Sequence, residues 1–169
     1  MPIPTWSVGE VLSASDVNSW FVPLAAIKAS DTGRSSTTVL AADPDLVLAA
    51  AASAQYDVRA VIRYKGGTNG SSDAQFQINV PSGASGFWIA QRQNISGGGG
   101  VIGFADQSFG AALNAGTSGT GNTQQIIISA SVTTSASTGN ITVLWAQNTS
   151  GAFNTSLYAN SYLTGRRIG

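Results

Sequence analysis

The stretch QYDVRAVIRY, residues 55–64, decides the fold. Tyr56, Val58, Ala60, Ile62 and Tyr64 alternate with Asp57, Arg59, Val61 and Arg63. Successive side chains of a strand point to opposite faces, so this period of two predicts a strand with one buried and one largely wet face. GGTNGSSD (66–73) follows as a turn, and QFQINV (75–80) repeats the alternation with Phe76, Ile78 and Val80 until Pro81 stops it, so the two runs read as a hairpin. GFWIAQR (86–92) is a further strand, and the four glycines 97–100 mark a flexible loop. TQQIIISASVTT (123–134) and NITVLWAQN (140–148), joined through the Gly139-Asn140 turn, read as a second hairpin. SLYANSYLTGRRI (156–168) reads as the final strand, and STTVLAADPDLVLAA (36–50) as two short strands flanking an Asp43-Pro44 turn. About eight strands with frequent turn signals predict an all-β chain, an antiparallel β-sandwich or jelly roll.

Residues 1–30 follow another rule. Ser13 with Asp16 three residues on resembles a capping box, which starts a helix near Ala14. Val17, Trp20, Phe21, Leu24 and Ile27 carry the spacing of one helical face, interrupted by Pro23, which ends or kinks the helix near Val22. A short helix cannot hide two large aromatics alone. It docks either on its own β-domain as a lid or on another protein. Burying these five side chains supplies at most on the order of 10 kcal/mol, against an association cost of roughly 4 to 15 kcal/mol, so one copy is a marginal anchor and several copies on one oligomer hold firmly. The expected organisation is an attachment segment with a short helix over 1–30 and a β-sandwich domain over 31–169. The attachment residues are Trp6, Val8, Leu12, Val17, Trp20, Phe21, Leu24 and Ile27.

Composition narrows the function classes. Charged residues are only 9% of the 169, so uncharged Ser, Thr, Asn, Gln and Gly keep the surface wet. Basic and acidic residues balance at eight each, leaving no net field to attract nucleic acid or an anionic membrane. No charge occurs between Asp106 and Arg166. That neutral stretch fits either packing against sister subunits or a Ser/Thr-rich surface on a monomer. The chain has neither Cys nor His, which removes disulfides, thiolate metal sites, the commonest general base and the preferred zinc ligand. The start has no signal-peptide pattern and no apolar run reaches the length of a membrane span, so a soluble protein is expected.

Motifs that would carry chemistry are weak. The Gly-rich stretches lack GxGxxG opening a helix and lack Gly-Lys-Ser/Thr. Asp43, Asp45, Asp57, Asp73 and Asp106 are scattered, which does not suggest the facing carboxylates of a glycosidase. Calcium at Asp73 or at the Asp43/Asp45 pair is conceivable because oxygen ligands suffice, although the spacing is not that of an ordered calcium loop. Trp88 and Trp145 lie in strand patterns and read as core. The expectation is a non-enzymatic protein without a cofactor.

WSVGEVLSASDVN at the start and ITVLWAQNTSGAFNTSLYANSYLTGRRI at the end resemble segments of small structural proteins from phages of actinobacteria, and TGRSSTTVLAADPDLVL with the strand from Tyr56 fits the same group. The resemblance implies a virion protein, either a minor tail or fibre component or a capsid decoration protein, whose partners are capsid or tail proteins. The group's β-domain is similar to the jelly roll of C1q and tumour necrosis factor, which implies a homotrimer. A host-surface glycan-binding module of a phage receptor-binding protein, reading glycans through loops 66–73 or 94–100, is the alternative.

Overall fold

A computed structural model describes residues 7–11, 13–20, 22–67, 73–94, 101–103, 106–117 and 122–169. Twelve strands follow one short helix among these residues. The helix α1 (Ala14–Trp20) precedes β1 (Leu24–Ile27), β2 (Thr32–Arg34), β3 (Ala41–Ala50), β4 (Gln55–Lys65), β5 (Ala74–Asn79) and β6 (Ser85–Gln93). Then come β7 (Val101–Ile102), β8 (Leu113–Ala115), β9 (Gln124–Thr133), β10 (Gly139–Gln147), β11 (Thr155–Leu157) and β12 (Tyr162–Arg167).

Two sheets face each other. The larger runs β1-β12-β4-β9-β6-β7, with β11 bridging β2 and β4, and the smaller runs β3-β10-β5-β8. Every strand pairing is antiparallel. The decisive stretch behaves as its alternation demands: Tyr56, Val58, Ala60, Ile62 and Tyr64 are buried, with Ile126, Ile128, Ala130 and Val132 of β9 beside them. Leu46, Leu48, Phe76, Ile78, Ile141, Val143 and Trp145 close the core from the smaller sheet. Trp88 and Trp145 are both fully buried.

Both expected hairpins dissolve. β4 and β5 lie in different sheets, and so do β9 and β10. Alternation fixes which residues are buried but not which strand lies alongside. Here consecutive strands lie in opposite sheets so that two apolar faces meet across the core, as the edge-on rings of Tyr64 and Phe76 do at 5.3 Å. The expected final strand is split, because Asn160 takes a left-handed conformation (φ 64°) between β11 and β12. Asparagine tolerates that region better than most residues.

The expected Asp43-Pro44 turn is also overturned. Residues 41–50 are one strand, and the register against β10 slips between Thr142↔Val47 and Leu144↔Ala42. The excess residues form a bulge, and a bulge re-aims side chains. Pro44 has no amide to pair, which suits an edge strand at a bulge. Leu24 and Ile27 likewise leave the expected helical face. The residues after Pro23 pair with β12 instead, Leu24 opposite Gly165 and Ile27 opposite Tyr162. A strand period places Leu24 and Ala26 against the core and turns Ile27 outward.

Candidate interaction surfaces

Among the described residues, the arm before β1 is open. Residues 7–10 form a turn in which the Glu10 amide donates to the Ser7 carbonyl at 3.0 Å and the Ser7 amide donates to Glu10 Oε2 at 2.9 Å. Gly9 holds this turn with a φ of 89°. Val8 and Val11 keep 108% and 90% of their reference surface, so neither touches the sandwich. Val17 on α1 is exposed as well, as is Val22 beyond it. Of the other attachment residues named from sequence, Trp6, Leu12 and Phe21 lie outside the described residues, and Trp20 is placed as the last residue of α1. Leu24 packs on its own core, whereas Ile27 stands exposed on β1. Where α1 meets the sandwich, a cavity of about 200 Å³ is lined by Asn18, Val22, Leu24, Ala49, Ala51, Tyr56 and Arg167.

The outer face of the larger sheet is the second surface. The pairing registers align three rows across it: Phe87, Ser131, Asp57 and Arg166; Ile89, Ser129, Arg59, Thr164 and Ala25; Gln91, Ile127, Val61, Tyr162 and Ile27. Charge is segregated along these rows. The β4 and β12 positions carry Asp57, Arg59 and Arg166, whereas those on β6 and β9 carry none. Phe87 stands half exposed beside a shallow depression of about 160 Å³ that Asp57, Ile89, Ser129 and Ser131 also line. Gly86 sets the approach of β6 to β9. Its φ is 131°, and a Cβ there would lie 2.0 Å from the Ser131 carbonyl oxygen.

A third feature was misread in the sequence. Lys28, just after β1, is 1% exposed and Asp43 is fully buried. Lys28 Nζ stands 2.9 Å from Asp43 Oδ2, 3.2 Å from its Oδ1 and 3.4 Å from Asp45 Oδ2. The Asp45 amide donates to Asp43 Oδ1 at 3.1 Å and the Trp145 indole N–H donates to Oδ2 at 3.2 Å. The Arg34 guanidinium lies 4.1 Å over the Trp145 ring and donates to the carbonyls of Ala41, Ala42 and Trp145. Burial pushes Arg34 below its ordinary pKa, with Asp43 opposing the shift. Asp43 and Asp45 therefore meet a lysine of their own chain rather than an outside cation. A lysine within the expected attachment segment gave no sequence signal for this, since only the bulge turns Asp43 inward.

Asp73, the other calcium candidate, accepts from the Thr117 amide at 2.8 Å and the Thr117 hydroxyl at 3.0 Å, fixing the segment after β8. Near it the Tyr64 hydroxyl donates to the Gly116 carbonyl at 2.7 Å. Burial, reinforced by Asp73 and opposed by Arg92, pushes the Tyr64 phenol well above its ordinary range. Among the described residues no group of three or more His, Cys, Asp or Glu could hold a metal ion. Most of loops 66–73 and 94–100 lies outside the described residues. A groove of about 490 Å³ at one end of the sandwich is lined by Ser, Thr, Gln, Ala and Gly residues of 53–55, 133–136 and 169, with no aromatic ring on which a sugar would stack. No helix among the described residues is long and apolar enough to cross a membrane.

No protein-family model matches the chain, and no curated protein matches it. Among solved structures, the tripod (BppUct-A-L) from the baseplate of bacteriophage Tuc2009 aligns with 96% of this chain and 73% of its own at 10% identity, with a TM-score of 0.36. The structure of infectious bursal disease virus Gx strain aligns with 85% of this chain and 38% of its own at 10% identity, with a TM-score of 0.21.

Proposed function

We propose that the chain is a non-enzymatic structural module of a phage particle, docking through its N-terminal arm and presenting the sandwich outward. The observation that carries this reading is the arm itself: Val8, in a formed turn, and Val11, just after it, are open to solvent. Apolar side chains kept off their own core gain free energy only when a partner covers them. The sequence resemblance to actinobacterial phage structural proteins supplies the kind of partner, a capsid or tail protein.

The sandwich supports the rest of the reading. Its facing strand orders, β1-β12-β4-β9 and β3-β10-β5-β8, are those of a jelly roll, with β6 and β7 added beyond β9. In a homotrimer the uncharged β6–β9 side of the outer face would meet a sister chain, while the charged β4–β12 side stays wet. Three arms on one particle site would then bind together, which raises a marginal single contact to a firm one through effective concentration.

Gold-labelled antibody against the chain, viewed by electron microscopy on purified virions, tests the docking. Label over the head makes it a capsid decoration protein, and label on the tail a minor tail or fibre component. Virions without label overturn the reading. Light scattering of the purified protein should return three times the 17.2 kDa chain mass, and a monomer at micromolar concentration removes the trimer. Saturable binding of host-surface glycan by the purified chain would shift the reading to a receptor-binding module.

A further inference from the structure

The Lys28 site holds more than an ion pair needs. An amine nucleophile faces both oxygens of a single carboxyl, a second, partly exposed carboxylate touches the same amine, an indole N–H points at one of the carboxyl oxygens, and both the amine and the carboxyl it faces are buried from water. We infer that Lys28 and Asp43 condense into an intramolecular amide, an isopeptide bond from Nζ to Cγ that staples the end of β1 to β3. The chemistry of this step is independent of the docking reading.

Each component has a place in the reaction. Lys28 is clamped at its backbone, its amide donating to the Ser161 carbonyl at 2.8 Å and its carbonyl accepting from the Asn160 amide at 2.9 Å. Asp43 is aimed inward by the β3 bulge. A buried ion pair holds two charges out of water at a desolvation cost that their attraction seldom exceeds by much. Proton transfer within the cluster leaves a neutral amine and a neutral acid. The Nζ lone pair then forms the bond to Cγ, and the displaced electron pair settles on Oδ2, where the Trp145 N–H donates to it as an oxyanion-hole donor would. Arg34, stacked on the same indole, adds a positive field. Asp45 takes the next proton from Nζ and delivers it to Oδ1, the Cγ–Oδ1 bond breaks, and Oδ1 leaves as water with the protons that Nζ has lost. The amide keeps one N–H and the carbonyl reforms. Ammonium and carboxylate become amide and water, so no oxidant, metal or further reactant takes part.

The staple would join the edge strand of the larger sheet to the edge strand of the smaller one. Under the docking reading, a pull on the arm would peel β1 from β12 no further than Lys28, where the staple would pass the load into β3.

Mass spectrometry of the full chain, denatured after folding, is the test. The expected mass is one water below that of the sequence, and proteolysis should release one fragment in which the Lys28 and Asp43 peptides are joined. Lys28→Arg should keep its full sequence mass. Asp43→Asn should form the same amide with loss of ammonia and so reach the same final mass as the natural chain. Asp45→Ala should stay uncondensed, or condense far more slowly, while still folding. A folded natural chain at full sequence mass, with no joined fragment after prolonged incubation, overturns the inference. That measurement needs no variant.

Discussion

In β4 and β9, valine and isoleucine alternate with polar residues and lose nearly all their surface, Val58 to 1% and Ile128 to 0%. In the arm, Val8 and Val11 keep theirs. The same side chains serve opposite ends because their neighbours differ. A strand of ten residues finds two partners and a facing sheet, whereas the seven-residue helix α1 finds only a corner of the sandwich near β12 and the turn at residues 7–10 stays open. The boundary between the two regions is sharp and falls at Pro23. From Leu24 onward the described strands are paired into the sandwich, and Lys28, a lysine that sequence assigned to the arm, is buried in it.

The strongest way to break this division is to cut on either side of it. Removing residues 1–22 should leave thermal stability within about 0.5 kcal/mol of the full chain. Removing residues 1–28 also takes β1 and Lys28, leaving the Asp43 charge in a dry interior, and should cost about 3 to 5 kcal/mol. If calorimetry finds the two truncations melting together, β1 belongs with the arm and the boundary is misplaced. Gly86→Ala tests the far edge of the sandwich. It forces a side chain into a φ of 131° against the Ser131 backbone, and should cost about 1 to 3 kcal/mol in denaturant unfolding, whereas Gly9→Ala in the arm meets nothing within 4 Å and should cost less.

A pH titration separates core from arm in another way. Tyr64 is neutral in the folded state, and burial holds its pKa above the unfolded value. Its contribution is therefore complete below the unfolded value of about 10 and is lost as pH rises beyond it. Alkaline unfolding should be monitored against Tyr64→Phe, which removes the ionisable group while keeping the ring. If both chains lose stability equally above that pH, Tyr64 is not the group responsible. The smallest change in stability belongs to Val8→Ser with Val11→Ser. Folding should be unaffected within about 0.5 kcal/mol, while particle incorporation, measured by quantitative blotting of virions, should fall. Unchanged incorporation would leave the arm without a role.

Much of this was legible in the sequence because burial writes itself into periodicity. The inward set of β4 and Phe76 and Ile78 of β5 were named correctly, as were Trp88 and Trp145. Pairing was not legible. Both expected hairpins failed because an arch between sheets and a tight turn within one draw on the same Gly, Ser and Asn residues. Asp43-Pro44 carried turn chemistry that a bulge uses equally well. Lys28 was invisible because its burial depends on a carboxylate that lies across the gap between the sheets.

The position of β12 governs how the chain can fold during synthesis. This strand lies between β1 and β4, so both wait on residues 162–167, which leave the ribosome after the eleven strands that precede them among the described residues. Until then β1 has no partner and one edge of β4 stays unpaired. Assembly from such distant pairings is slow, and the nascent chain carries its long neutral strands exposed while it waits. Crowded polysomes, where several such chains wait side by side, would favour pairing between neighbours over pairing within one chain.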